Sequence, residues 1–300
     1  MLPFGLSTSP VTWQKFVDVI VAKLRKLGHI LTCHVDDFLV LGHSVAVVRN
    51  SVLQLMTELI SAGVAPNIAK SQLDPAATVE YLGFNLTFTP EGATIAVPTV
   101  KRKDIRQDLA RFLRSQTHTA RRFSSVLGKI RALHPAHPDV YLKTFHAAKG
   151  LAHLLKNHGW DKPAMMTDTA RQNLTEILQW LHHDISTQLQ LPPQTHHCTL
   201  STDASDWQWG AHLLLPNQPP VTFNGYFNQH LQTKHITEKE AAATAFSLQS
   251  LVDHPHLGPG TVIRLQVDAQ SLYHALRRRK TRSPNLHTHL IHISQARCCD

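Results

Sequence analysis

Apolar side chains recur at helical spacing at Trp13, Phe16, Val17, Ile20, Val21, Leu24 and Leu27, which predicts an amphipathic helix. Ser9 as N-cap, Pro10 at the first helical position and Gly28 as the stop bound it. Ile30 to Leu41 is strand-prone, with two adjacent aspartates, Asp36 and Asp37, in its middle. Val48, Val52, Leu53, Leu55, Met56, Leu59 and Ile60 predict a second helix ending at Gly63, and Val79 to Leu86 reads as a strand. The middle of the chain is helical in pattern. Ile105, Leu109, Phe112 and Leu113 mark one apolar face, and Phe123, Val126, Leu127 and Ile130 another, with Gly128 expected to pack closely. Pro135 and Pro138 interrupt the pattern, after which Tyr141 to Leu155, and Thr169 to about Leu189, read as further helices. Leu191 to His197, with its Pro192-Pro193 pair, reads as a linker. Beyond it the period switches to strands over Cys198 to Ser205, Gly210 to Leu215 and Val221 to Phe227. An alanine-rich helix then opens near Ile236, and a strand covers Val262 to Asp268.

Composition narrows the partners. Three hundred residues with 42% hydrophobic content allow two modest domains with cores, and the net charge of +9 favours an anionic partner. Between Lys101 and Arg131 ten basic residues stand against two acidic ones, so nearly all of that charge is local. Such a run reads either as a solvated helix face or as a phosphate-contacting surface. No apolar run approaches the ~20 residues of a membrane span and no signal pattern opens the chain, so a soluble protein of the cytoplasm or nucleus is expected. Cys33, Cys198, Cys298 and Cys299 lack the spacing of a disulfide scaffold or zinc site, and His196-His197-Cys198 has no matching second half.

The carboxylates are the candidate chemistry. An unpaired carboxylate buried in an apolar strand costs several kcal/mol unless a cation or donors compensate it, although Asp36-Asp37 taken alone also reads as a hairpin turn. Asp203, Glu240 and Asp268 fall on the first strand, the helix and the last strand of the βββαβ pattern, with Glu238 as the competing helix acid. Each has an ordinary alternative, as a turn residue, a helix N-terminal charge or a helix cap.

In order, Leu2-Pro3-Phe4-Gly5-Leu6 with Pro10, the Asp36-Asp37 hairpin, Asn67-Ile68-Ala69-Lys70-Ser71 and Tyr81-Leu82-Gly83-Phe84 resemble the palm of retroelement reverse transcriptases, with His34 where the family has an aromatic residue. The resemblance implies that Asp36 binds catalytic magnesium and Asp37 supports the metal site. It also implies that Lys70 approaches the incoming triphosphate, that Pro3, Phe4 and Gly5 border the nascent base pair, and that Tyr81, Leu82 and Gly83 support the primer end. Thr202-Asp203-Ala204-Ser205 with Trp209-Gly210-Ala211, Ile236 with Glu240, and Val267-Asp268-Ala269 resemble the ribonuclease H domain that follows the polymerase in such elements. Here the resemblance implies a Mg2+ or Mn2+ site on Asp203, Glu240 and Asp268.

The expected architecture is α+β and α/β: a partial palm over 1–95, a helical thumb and connection over 96–191 in which Arg121 and Arg122 contact phosphates, and an incomplete ribonuclease H-like domain over 195–300. The family's fingers and first catalytic aspartate would precede Met1, and its final carboxylate would follow Asp300. The expectation is therefore a truncated reverse transcriptase–ribonuclease H fragment with little or no polymerase activity alone. Its implied partners are an RNA template, a DNA primer and RNA–DNA hybrid, with a deoxynucleotide only if the missing segment is supplied, and no membrane. A non-catalytic nucleic-acid-binding scaffold is the competing expectation. Among retroelements the motifs are similar to those of DIRS-like elements, with gypsy-like elements as the alternative.

Overall fold

The computed structural model describes residues 6–90, 92–189, 197–252, 254, 255, 257 and 261–296. Pro3, Phe4 and Gly5, residues 191–196 of the expected linker, and Cys298 and Cys299 lie outside the described residues. The chain divides into two units, Met1–Pro98 and Thr99–Asp300.

In the first unit, helix α1 (Ser9–Lys26) starts one residue earlier than expected, so Ser9 lies inside it and Thr8 holds the N-cap position without a side-chain bond. Gly28, at φ 90, turns the chain out of the helix. Strands β1 (Ile30–His34) and β2 (Asp37–Leu41) form an antiparallel hairpin closed by the His34↔Asp37 pair. Helix α2 (Val45–Ser61) is capped by Ser44, whose hydroxyl accepts the Val47 N–H. Val17, Ile20, Val21 and Leu24 of α1 pack with Leu31, Leu55 and Leu59 to make the core. A 3₁₀ turn over Ile68–Lys70 is capped by the Asn67 side chain. An antiparallel meander follows, with β3 (Thr78–Tyr81), β4 (Phe84–Thr89) and β5 (Gly92–Ala96).

The second unit opens with α3 (Thr99–Arg114), β6 (Thr117–His118), α4 (Ala120–Arg131), α5 (Val140–Lys143), α6 (Phe145–His158), β7 (Ala164–Met165), α7 (Asp168–Trp180) and β8 (Ser186–Leu189). The helix expected over Tyr141 to Leu155 is two helices broken at Thr144, whose hydroxyl donates to the Val140 carbonyl. The helix expected to reach Leu189 ends at Trp180; Ile185 keeps the helical spacing and is buried, but it lies beyond the helix, directly before the strand Ser186–Leu189. Gly128 is exposed, and a Cβ there would meet nothing within 4 Å. A helical glycine that does pack closely is Gly150 of α6, where a Cβ would fall 2.3 Å from that of Ala170 on α7.

The remainder of this unit comprises β9 (Cys198–Ala204), β10 (Gln208–Leu214), β11 (Val221–Tyr226), α8 (Gln229–Gln232), α9 (Ile236–Gln249), β12 (Ile263–Gln266), α10 (Gln270–Arg278) and α11 (Pro284–Ala296). The sheet order is β11-β10-β9-β12, with β12 parallel to β9 and the other neighbours antiparallel. Helix α9 is buried on nearly every side, which explains its alanines. Ala242 and Ala243 pack with Phe227 and Leu231, while Ala241 shares a cluster with Leu272, Ala275, Leu290 and Leu142 of α5. Leu142 therefore fills part of the core beneath α9, α10 and α11. Its carbonyl accepts from His287 Nε2 at 2.9 Å, and the His287 ring stacks on Phe145. Asp139 accepts from Arg279 and, at 2.6 Å, from Ser294, which closes the junction.

Candidate functional site

In the first unit the Asp36-Asp37 carboxylates sit at the tip of the β1–β2 hairpin. The two-residue loop is Val35-Asp36, with Val35 at φ 58, while Asp37 begins β2. Both aspartates are exposed, so the desolvation cost expected for carboxylates inside an apolar strand is absent. Helix α1 holds the turn. The Val35 N–H donates to Gln14 Oε1 at 2.9 Å, and the Trp13 indole N–H donates to the Val35 carbonyl at 2.9 Å. Nothing in the apolar period announced these two clamps. The sole signal was a polar Gln14 beside an aromatic residue that carries its own donor.

Tyr81 ends β3, and its hydroxyl donates to the Asp37 carbonyl at 3.4 Å. Leu82 and Gly83, at φ 51 and 73, form a two-residue loop in which both positions are left-handed, the geometry of a type I′ hairpin. The Tyr-Leu-Gly-Phe segment thus runs up to the aspartate hairpin. Lys70 is exposed at the end of its 3₁₀ turn.

The second unit brings three acids toward one another from β9, α9 and the connection between β12 and α10; the strand expected to reach Asp268 ends at Gln266. Asp203 lies near the end of β9, and its antiparallel partner is Gly210, where a Cβ would find only the Phe223 carbonyl, at 4.0 Å. The flank of Asp203 is therefore open. The β9–β12 register pairs Ser201 with Gln266, and continuing it by two residues brings Asp268 level with Asp203. Glu240, in the second turn of α9, faces the Ala269 backbone N–H, which favours its charged form, while its Oε2 is buried with no partner. Burial, then the charges of Asp268 and Asp203, push its carboxyl above the usual range. Glu238 points elsewhere, accepting from Asn285 Nδ2 of α11 at 2.7 Å. Between the two helix acids, Glu240 is thus the one that shares its surroundings with Asp203 and Asp268.

Metal suitability follows from the donors. A buried carboxylate oxygen without a partner, beside two further carboxylates, is an all-oxygen set of the kind that hard divalent cations prefer. Among the described residues, however, no three His, Cys, Asp or Glu side chains stand close enough to share one ion. The acids face one another without having closed into a complete shell.

The basic helices are partly self-neutralised. Arg121 forms a two-pronged pair with Asp161, at 2.7 and 3.0 Å, in the open. Arg122 and Lys129 of α4 both bond Asp108, a buried residue of α3. Burial alone would raise the Asp108 pKa, but the bonds from Lys129 and Arg122 win and hold it below the usual value. Arg102 pairs with Asp184 at 2.7 Å. Among the described residues no helix is long and apolar enough to cross a membrane.

Residues 1–86 match the family described as reverse transcriptase (RNA-dependent DNA polymerase). The retrovirus-related Pol polyprotein from transposon opus of Drosophila melanogaster is 28% identical over 285 residues, covering 92% of this chain and 26% of that polyprotein. The transposon Tf2-3 polyprotein of Schizosaccharomyces pombe is 25% identical over 265 residues, covering 83% of this chain and 17% of its own length. The chain thus spans about a quarter or less of these curated relatives. Among solved structures, the foamy viral protease-reverse transcriptase in complex with RNA/DNA hybrid aligns with a TM-score of 0.50 at 20% identity, covering 99% of this chain and 38% of that one. The same viral protein in complex with dsDNA aligns equally well, over 92% of this chain and 53% of its own. At these identities the likeness is one of fold: a mixed α/β architecture like that of the foamy viral protein.

Proposed function

We propose, from the relation of this chain to gypsy/Ty3-like retrotransposon Pol proteins, that it works as a reverse transcriptase–ribonuclease H segment whose nuclease-like carboxylates act on the RNA strand of an RNA–DNA hybrid. Buried, unpaired Glu240 Oε2 between two like-charged neighbours carries this reading, because three converging acids repel one another unless a cation joins them. Asp203, Glu240 and Asp268 would hold Mg2+ or Mn2+, which when bound activates water and neutralises charge on a phosphodiester. The Ala269 N–H favours the charged form of Glu240, and Gly210 leaves room for the substrate backbone beside Asp203.

In the first unit, Asp36 and Asp37 are proposed as the polymerase-side metal ligands of a palm. Tyr81, Leu82 and Gly83 would support the primer end, Lys70 the triphosphate, and Pro3, Phe4 and Gly5 the nascent base pair. The helices of 96–191 serve as thumb and connection. The solved relatives hold RNA/DNA hybrid and dsDNA, which supports a duplex as the partner of these helices. Arg121 is then a phosphate contact that must exchange away from Asp161, and Arg122 a residue largely committed to Asp108.

Thermal melting of the full chain with and without Mn2+ tests the site. Wild type should be stabilised by mass action and Glu238→Gln should keep that response, whereas Asp203→Asn, Glu240→Gln and Asp268→Asn should lose it. Stabilisation that survives all three changes would remove these residues from the site. The incomplete approach of the acids favours a second reading, a nucleic-acid-binding scaffold that retains the fold. Carboxylate-dependent Mn2+ stabilisation without cleavage of an RNA–DNA hybrid would select it.

A further inference from the structure

Three consecutive residues of α9 point to three different partners. Glu238 meets Asn285 of α11, Glu240 meets the Ala269 N–H, and between them the Lys239 ammonium donates to Asp206 at 2.8 Å. Steps of about 100° around a helix make this divergence unavoidable. What is unusual is the burial of Lys239: its side chain is 3% exposed, while that of Asp206 is 77% exposed. A lysine in such a place costs desolvation that one ion pair to a solvated carboxylate does not fully return, and an apolar side chain of equal length would fill the space at lower cost. Stability therefore does not explain it, but its position does.

Asp206 lies in the tight β9–β10 turn, three residues after Asp203. That turn is stiffened by the Ser205 hydroxyl, which accepts the Trp207 and Gln208 N–H groups. A second tie joins α9 to β9 itself. The Thr202 and Thr244 hydroxyls lie 3.0 Å apart, and Thr244 also donates to the Glu240 carbonyl. On the strand side the ties fall at 202 and 206, on either side of Asp203. On the helix side they fall at 239 and 244, on either side of Glu240.

We propose that Lys239 is a positioning residue: through Asp206 it clamps the first turns of α9 to the β9–β10 turn and so keeps Glu240 beside Asp203 against their mutual repulsion. The inference rests on the metal-site reading above. Its sign separates it from simple electrostatics. By charge alone, an ammonium beside a cation site weakens metal binding, so removing it would tighten Mn2+; removal of a clamp loosens Mn2+.

Calorimetric titration of the full chain with Mn2+ decides between these. Lys239→Met and Asp206→Ala should each weaken binding roughly tenfold, the loss typical when a group that orients a metal ligand is removed. The double variant should be no weaker than the weaker single one, and Lys239→Arg should recover most of the affinity. Unchanged or tighter Mn2+ binding by Lys239→Met overturns the clamp. If wild type shows no Mn2+ binding that Asp203→Asn removes, the metal reading itself fails. The clamp is then judged in metal-free protein by amide hydrogen exchange. Lys239→Met and Asp206→Ala should speed exchange at Trp207, Gln208, Ala241 and Ala242, with Leu200 and Leu213 unchanged as the check on global unfolding. Equal exchange at all of these positions overturns it.

Discussion

Val35 places a β-branched side chain at φ 58, a conformation in which its Cβ crowds its own backbone, at a cost of ~1–3 kcal/mol. The Gln14 and Trp13 clamps hold it there, and Asp36 is the next residue. Val35→Gly should remove the crowding and raise stability by ~0.5 kcal/mol, after allowance for the freer unfolded chain, as read from urea denaturation. A loss of more than ~1 kcal/mol would show that the valine side chain supplies packing that outweighs its strain. At this scale the sequence located the hairpin but misjudged its exposure. An alternating apolar run shows where strands lie, not whether their connecting tip projects into water. The choice of Glu240 over Glu238 was open in the sequence for a related reason, since two acids one residue apart are separated only by which neighbour each meets.

Helix α4 carries two adjacent arginines with opposite commitments. Arg122 shares the buried Asp108 with Lys129 and so fastens α4 to α3, whereas Arg121 meets Asp161 in the open. Arg122→Ala should cost ~1 kcal/mol in urea denaturation, a figure discounted because its guanidinium is partly solvated. Arg121→Ala should leave stability unchanged and lower the salt slope of duplex binding by about one unit. An unaltered slope would mean that Arg121 never leaves Asp161. The charge run was legible in the sequence, but its internal pairing was not, because Asp161 and Asp184 lie far along the chain from the residues they neutralise. Helix ends erred for local reasons. Thr144 splits a helix by bonding backwards to a carbonyl, and β8 continues a mixed polar pattern that a helical period can absorb.

Across the second unit, burial holds four histidines, His118, His137, His287 and His289, below their usual pKa, with His137 pushed down to about 4. For His137, burial comes first and the Lys143 charge adds to it, while Asp139 opposes them. These rings stay neutral when folded but take up protons near pH 6.5 when unfolded. Stability is therefore complete above that pH and declines as the pH falls toward the folded values. The urea midpoint should drop steadily from pH 7 to pH 5, and His137→Phe, with a ring that can still pack on Trp180, should flatten part of that slope. A flat wild-type profile would mean that the rings are more hydrated than their burial indicates.

The succession of β9, β10, β11, α9 and β12 along the chain was readable from period, but the seat of Leu142 was not, since nothing in a lone apolar residue tells which distant helices it will meet. That seat sets an order of events during synthesis. The Leu142 carbonyl waits for His287, 145 positions later, and Asp139 for Ser294, 155 positions later. A ribosome adding ~5–20 residues per second exposes this stretch for several seconds before its partners emerge. Until α11 leaves the exit tunnel, the helices made first lack their last contacts, so a nascent chain stalled short of Pro284 should be cut by protease near Val140–Lys143 while the finished chain resists.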